Sequence, residues 1–147
     1  MRLFLIACSK TKLPRPAPAA ELYNSPLFKF SRQYAEKHGE YLILSAEHGL
    51  VNPSHLVEPY DTTLADLGVA QTTAMIAKVE RQAQQWLQLW DHDEKKLPGA
   101  LELLAGRDYA AIINATCLAD FFRIHQPLKG LGIGQRLQWL KNNLRHD

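Results

Sequence analysis

Arg2-Leu3-Phe4-Leu5-Ile6-Ala7 is an apolar run with no polar residue after its first position. A run of strand length without polar alternation suits a β-strand covered on both faces. Tyr41 to Leu44 is a second such run, and Tyr109 to Ala115 is read as a third. Helical patterns fill the chain between them. Strands that alternate with helices pair in parallel through right-handed crossovers, so the chain is expected to form an α/β fold.

The helices are marked by their ends and their stripes. Ser25-Pro26 reads as an N-cap followed by proline at the first helical position, and Gly39 closes that helix. A longer helix is expected from Val69 to Trp90. Its apolar side carries Val69, Ile76, Val79, Ala83, Trp86, Leu87 and Trp90, spaced as one buried stripe. Short helices are expected over Leu97–Gly106 and Leu118–Ile124. A last one runs from Gly134 to Leu144, with Ile133, Leu137, Leu140 and Leu144 on one face. The whole chain, residues 1–147, is expected to be a single three-layer α/β domain. Its small parallel sheet would have the order 2-1-3 and helices on both faces, with room for an extra edge strand near Leu56. The polar stretch Asp91 to Lys96 reads as a solvated connection.

Composition removes several function classes. At 147 residues, 46% hydrophobic and 22% charged, the chain has the make-up of one globular core. Two cysteines without a C-x-x-C pair give neither a disulfide scaffold nor a zinc site. The run ending at Ala7-Cys8 imitates a lipoprotein signal, yet it is shorter than the ~7–15 apolar residues of an export segment. No stretch reaches the roughly 18 apolar residues of a membrane span. A cytoplasmic protein with no membrane partner and no cofactor is expected.

In open parallel sheets ligands gather beyond the carboxyl ends of the strands. Three turns are expected there. Cys8-Ser9-Lys10-Thr11-Lys12 follows the first strand, Ser45-Ala46-Glu47-His48-Gly49 the second, and Asn114, Thr116 and Cys117 the third. Cys8 is a candidate nucleophile, with Lys10 and Lys12 favouring its thiolate and His48 as a candidate base; the alternative is a small packed residue. Glu47 and His48 pair a carboxylate with an imidazole that titrates near neutrality, as proton transfer requires. With His55 and Asp61 they show no recognised metal-ligand spacing, so no metal is expected.

Charge is uneven although the formal net charge is only +2. The first twenty residues hold Arg2, Lys10, Lys12 and Arg15 and no acid, while the final segment holds Arg123, Lys129, Arg136, Lys141 and Arg145 against Asp120 and Asp147. Gly130, Gly132 and Gly134 lead into the last helix, whose free amides and Arg136 suit an anion. The alternative is a flexible glycine connection beside a solvated arginine. A phosphate-binding Walker loop is absent, because Gln135-Arg136 stands where Lys-Ser/Thr is needed. A dinucleotide fingerprint is absent too, since the glycines do not directly follow a strand.

Four segments together resemble a family of small prokaryotic and phage proteins of unknown function. They are Leu5–Lys12, Ala20–Phe28, Leu42–Pro53 and Glu58–Leu64, the last reading Glu58-Pro59-Tyr60-Asp61-Thr62-Thr63-Leu64. The motifs occur in order and span nearly the whole chain. More distantly the sequence is similar to the YaaA peroxide-stress proteins, through a first strand followed by Ser9-Lys10-Thr11, comparable to their strand-Ser-x-Ala-Lys-Thr start, its later Pro59-Tyr60 and Ile113-Asn114-Ala115-Thr116. That similarity implies DNA binding in a stress setting. It carries Ser9, Lys10, Ser45, Gly49, Pro59, Tyr60 and Asn114 as site positions. This chain is shorter than YaaA and lacks its lysine-rich stretch, so the similarity implies a ligand pocket more than a grip on DNA.

Pro53 and Pro59 stiffen the loop after the second strand. There Tyr60 would stack on a base and Asp61 accept a hydrogen bond, or else Tyr60 plugs the core edge and Asp61 caps a turn. The first reading is a domain for a nucleotide or sugar phosphate. Lys10, Lys12 and the Gly134 helix end would hold phosphate, and Tyr60 and Asn114 the base. If it is an enzyme, cleavage or transfer at a ribose C–N bond is expected, with Glu47 or Asp61 as carboxylate and His48 as proton carrier. The alternative is a non-enzymatic DNA-binding protein of stress or phage defence. A third reading has Trp86, Trp90 or Trp139 contact a partner protein.

Overall fold

A computed structural model describes residues 2–92 and 99–145, without the side chains of residues 90–92. The place of Trp90 on the stripe, most of the polar connection 91–96, the start of a helix at Leu97 and the charge of Asp147 lie outside the described residues.

Strand β1 (Arg2–Ala7) is the centre of the sheet. It is followed by the short β2 (Ala17–Pro18), α1 (Ala19–Leu22) and α2 (Pro26–His38), then β3 (Gly39–Ser45) and β4 (Gly49–Val51). After β5 (Leu56–Val57) and a 3-10 turn at Leu64–Asp66 comes the long α3 (Val69–His92). The chain closes with β6 (Ala100–Leu104), α4 (Arg107–Asn114), α5 (Leu118–Phe121), β7 (Arg123–His125) and α6 (Ile133–Arg145). The main sheet runs β4-β3-β1-β6-β7, parallel except for β4 at one edge. The expected order, with the first strand between the second and third, is present as β3-β1-β6. The region around Leu56 does form a strand, which pairs with β2 in a separate two-stranded sheet.

Side-chain alternation along β1 divides the core. Leu3 and Leu5 pack on one face with Val79 and Ala83 of α3 and Ile112 and Ile113 of α4. Phe4 and Ile6 pack on the other with Phe28 and Ala35 of α2 and Leu140 of α6. This is a three-layer domain with helices on both faces. Ser25 caps α2 by accepting a hydrogen bond from the Phe28 amide at 3.1 Å. Gly39 is required where β3 meets β1, because a Cβ there would stand 1.9 Å from the Arg2 carbonyl oxygen.

The third strand is not where the sequence suggested. Tyr109 to Asn114 is helical, within α4, and the strand is Ala100–Leu104, which the sequence reading assigned to a helix. Alanine, leucine and glutamate are good helix formers, so local preference pointed the wrong way. Burial on both sheet faces overrides it: Leu101, Leu103 and Leu104 are all buried. Glu102 can join them because Arg2 neutralises it, with Nε and Nη2 donating to its two oxygens at 2.6 Å each. In α4 the buried residues Ala110, Ile112 and Ile113 share one side while Ala111 and Asn114 are exposed. The expected helix Leu118–Ile124 stops at Phe121, and Arg123–His125 joins the sheet instead. On α3, Val69 is 88% exposed and Met75 takes a buried place.

Candidate functional site

Moving the third strand moves the third turn. The residues beyond β6 are Ala105 and Gly106, not Asn114, Thr116 and Cys117. Gly106 is the N-cap of α4 and has no side chain to cap it. The helix's first internal bond is the Ala110 amide to Gly106 carbonyl contact at 3.1 Å. The amides of its opening turn therefore face the same end of the sheet as Cys8 and Ser9.

Two adjoining cavities occupy this end. The narrower, about 380 Å³, lies between the turn after β1 and helices α2 and α6, with Ser9 and Lys10 at its polar rim. The wider, about 920 Å³, opens over α4 and includes Asn114 and Lys129. Both are lined by Cys8, Leu27, Gly106 and Arg136, so they are two lobes of one cleft. Arg136 sits at the junction. Its Nε donates to the Leu131 carbonyl at 2.9 Å, while Nη1 and Nη2 lie 3.5 and 3.6 Å from where a Cβ on Gly106 would stand. No carboxylate among the described residues pairs with it.

The cleft is cationic. Lys10, Arg107, Lys129 and Arg136 line it, against Asp108 as an acid. Asp108 lies 3.8 Å from Arg107 Nε, both groups largely solvated. Gly134 itself lines neither lobe, although Ile133 and Arg136 of the same helix do. The Gly132 amide just before that helix is taken by the Gln135 side chain at 2.9 Å, which fills one of the positions expected for an anion.

The other candidate residues form a second cluster at the end of β3. Ser45 is fully buried, and its Oγ accepts from the amides of Glu47 and His48 at 3.1 Å each. The Tyr60 hydroxyl lies 2.6 Å from Ser45 Oγ and 2.5 Å from the Tyr23 hydroxyl. Burial pushes the Tyr60 and Tyr23 hydroxyls up from their ordinary pKa, so both stay neutral donors. Lys12 Nζ stands 4.4 Å from the Tyr60 ring centroid and donates to the Lys10 carbonyl at 2.9 Å. Burial lowers the pKa of Lys12. The His48 ring meets the Tyr60 ring edge-on with centroids 5.2 Å apart. Tyr60 is thus packed from several sides, as a plug of the core edge would be.

Helix α3 pins the turn. Lys78 Nζ donates to the Glu47 carbonyl at 3.2 Å. Gln82 receives the Leu50 amide at 2.7 Å and donates to the His48 carbonyl at 2.9 Å. Gly49 has φ of +74°, a left-handed backbone that glycine adopts without strain. Glu47 and Asp61 are exposed and line neither lobe of the cleft. His48 instead lines a separate groove of about 360 Å³ with His55 and Gln82.

Cys8 is partnered by Tyr109, whose hydroxyl lies 3.2 Å from Sγ. The Tyr109 hydroxyl is pushed well above its ordinary pKa, chiefly by burial. Cys117 is far from this arrangement in role: its amide donates to Glu80 at 2.8 Å, and both cysteines are free. Among the described residues no group of three or more histidine, cysteine, aspartate or glutamate side chains is placed to hold a metal. No helix among them is long and apolar enough to cross a membrane. Trp86 and Trp139 are half-buried, Trp139 against Tyr34 and Trp86 near Phe122. Sequence reasoning missed Gly106, Tyr109 and Tyr23, the first two because they were placed inside or before the wrong element.

A mostly parallel three-layer α/β domain with a cationic cleft at its strand ends is the class that fold and site define. Within that class the chain belongs to the family described as "Family of unknown function (DUF6884)", whose model matches residues 3–142. It is also similar to "Uncharacterized protein YfjM" of Bacillus subtilis (strain 168). The two are 32% identical over 148 residues, covering 95% of this chain and 92% of the relative. No solved structure matches the chain.

Proposed function

We propose that this protein binds a phosphorylated small molecule, a nucleotide or a sugar phosphate, in the two-lobed cleft. The observation that carries this reading is the Arg136 guanidinium. It is anchored through Nε and turns its terminal nitrogens to the uncapped start of α4 at the junction of the lobes. A guanidinium with two outward N–H donors is the side chain best shaped for phosphate, and free helix amides add donors beside it. Lys10, Arg107 and Lys129 extend the positive field across both lobes. A concave cavity suits a small molecule better than a duplex backbone, which favours this reading over DNA binding. The reading stops at binding, because Glu47 and Asp61 lie outside the cleft and Cys8 alone of the expected reactive residues lines both lobes.

Thermal denaturation tests it, with pyrophosphate, ribose 5-phosphate and adenosine 5′-monophosphate as probes. A ligand present at a hundredfold excess over its Kd stabilises the fold by about 2.7 kcal/mol. At least one probe should raise the midpoint of the wild type, and the Arg136→Gln variant should lose the rise while keeping its own midpoint. No shift with any probe, or equal shifts in both proteins, overturns the assignment.

A further inference from the structure

The narrow lobe has a feature that phosphate binding does not use. Its walls are apolar, built by Leu27, Phe28, Leu104, Leu128 and Leu137. In that wall stands Ser31, in the middle of α2 and only 3% exposed. No hydrogen bond among the described residues uses the Ser31 hydroxyl. Its oxygen is not sealed within the protein but opens onto the cavity that the residue lines. Here the cavity itself is the space from which a partner would come.

Resting on the reading of the cleft as a phosphate site, we infer that the narrow lobe is a nucleobase pocket in which Ser31 contacts the polar edge of the base. The lobe requires a ligand part that is mostly apolar in surface, to lie against leucine and phenylalanine, yet carries a hydrogen-bonding edge. A flat heteroaromatic ring has both properties; a sugar ring, with hydroxyls on every side, has only the second. The volume of about 380 Å³ lies within the range of about 300–1,000 Å³ for small-molecule sites. Apolar walls, not charge, set the orientation: Lys10 and Arg136 line this lobe, and Arg107, Lys129 and Arg136 line the wide one with Asp108 and the start of α4. A mononucleotide laid base-first into the narrow lobe brings its ribose past Cys8 and Gly106 and its phosphate under Arg136. This selects a nucleotide over a simple sugar phosphate.

Calorimetric titration of the four ribonucleoside 5′-monophosphates and of ribose 5-phosphate, into wild type and Ser31→Ala, tests the inference. Alanine is favourable in a helix interior, so the variant is expected to fold. At least one nucleotide should bind tenfold or more tightly than ribose 5-phosphate. The Ser31→Ala change should weaken that nucleotide about tenfold and leave ribose 5-phosphate unchanged. If ribose 5-phosphate binds as tightly as every nucleotide, or Ser31→Ala alters nothing, the base pocket is overturned while the phosphate site stands. If neither these ligands nor pyrophosphate binds, the phosphate site fails and takes the base pocket with it.

Discussion

Tyr60 and Ser45, fifteen residues apart in sequence, meet through their hydroxyl oxygens at 2.6 Å, and this contact ties the loop after β5 to the end of β3. Ser45 passes the constraint on, since the same oxygen holds the amides of Glu47 and His48. The Tyr60→Phe variant keeps the ring and removes the hydroxyl, leaving the buried Ser45 and Tyr23 hydroxyls short of a partner. A loss of about 1–2 kcal/mol is expected by chemical denaturation. Nucleotide affinity should be unchanged, because Tyr60 lines neither lobe.

Gly39 places a different demand on the backbone. Its φ of 168° is extended and open to any residue, so conformation is not the constraint. The constraint is the Arg2 carbonyl oxygen 1.9 Å from a prospective Cβ, in the register pair Arg2↔Gly39. The Gly39→Ala variant should lose about 2–3 kcal/mol, the scale of overpacking against rigid atoms. A denaturation midpoint equal to wild type would show that the start of the β1–β3 ladder yields.

The forked pair between Arg2 and Glu102 lies across the sheet between β1 and β6. Tyr34 also receives Arg2 Nη2 at 3.1 Å, and His125 Nδ1 approaches Glu102 at 3.3 Å. Glu102 is buried, whereas the Arg2 side chain is 42% exposed and can rehydrate if its partner goes. Glu102→Ala should therefore cost about 2 kcal/mol, less than the loss of a partner in a fully buried pair. The same variant measured in high salt should be equally destabilised relative to wild type, because a buried carboxylate is screened little.

His48 gives the pH dependence. Burial, mainly, lowers its imidazole pKa below the ordinary value of about 6.5. On acidification the unfolded chain takes up this proton before the folded protein does. Stability therefore falls as pH drops below the ordinary value and through the lowered one. Stability curves between pH 8 and 5 should show a smaller acid loss for His48→Gln than for wild type. Superimposable curves would contradict the shift.

Much of the architecture could be read from local pattern. Leu3–Ala7 and Tyr41–Leu44 are apolar throughout, and that continuous pattern marks strands covered on both faces. The cap at Ser25 and the stripe of α3 are equally local signals. Ala100–Leu104 was illegible, because its residues prefer helix and only the neighbouring β1 and the distant Arg2 make a strand of it. That single exchange moved the strand-end turn from Asn114 to Gly106. The candidate site was accordingly half legible: Cys8, Ser9, Lys10 and Arg136 share the cleft, and Asn114 reaches its wide lobe from the far end of α4. Ser45, Tyr60 and Gly49 carry strong motifs and shape the neighbouring turn. A motif reports that a position is constrained, and hydroxyl pairing or a left-handed turn constrains it as firmly as a ligand does.

The most direct measurement is a crystal structure grown with adenosine 5′-monophosphate. The account predicts density for the phosphate between the Arg136 guanidinium and the amides that open α4, with the base in the lobe bounded by Ser31. Phosphate density seated instead on the His48–His55 groove or on exposed lysines, with Arg136 untouched, would contradict it.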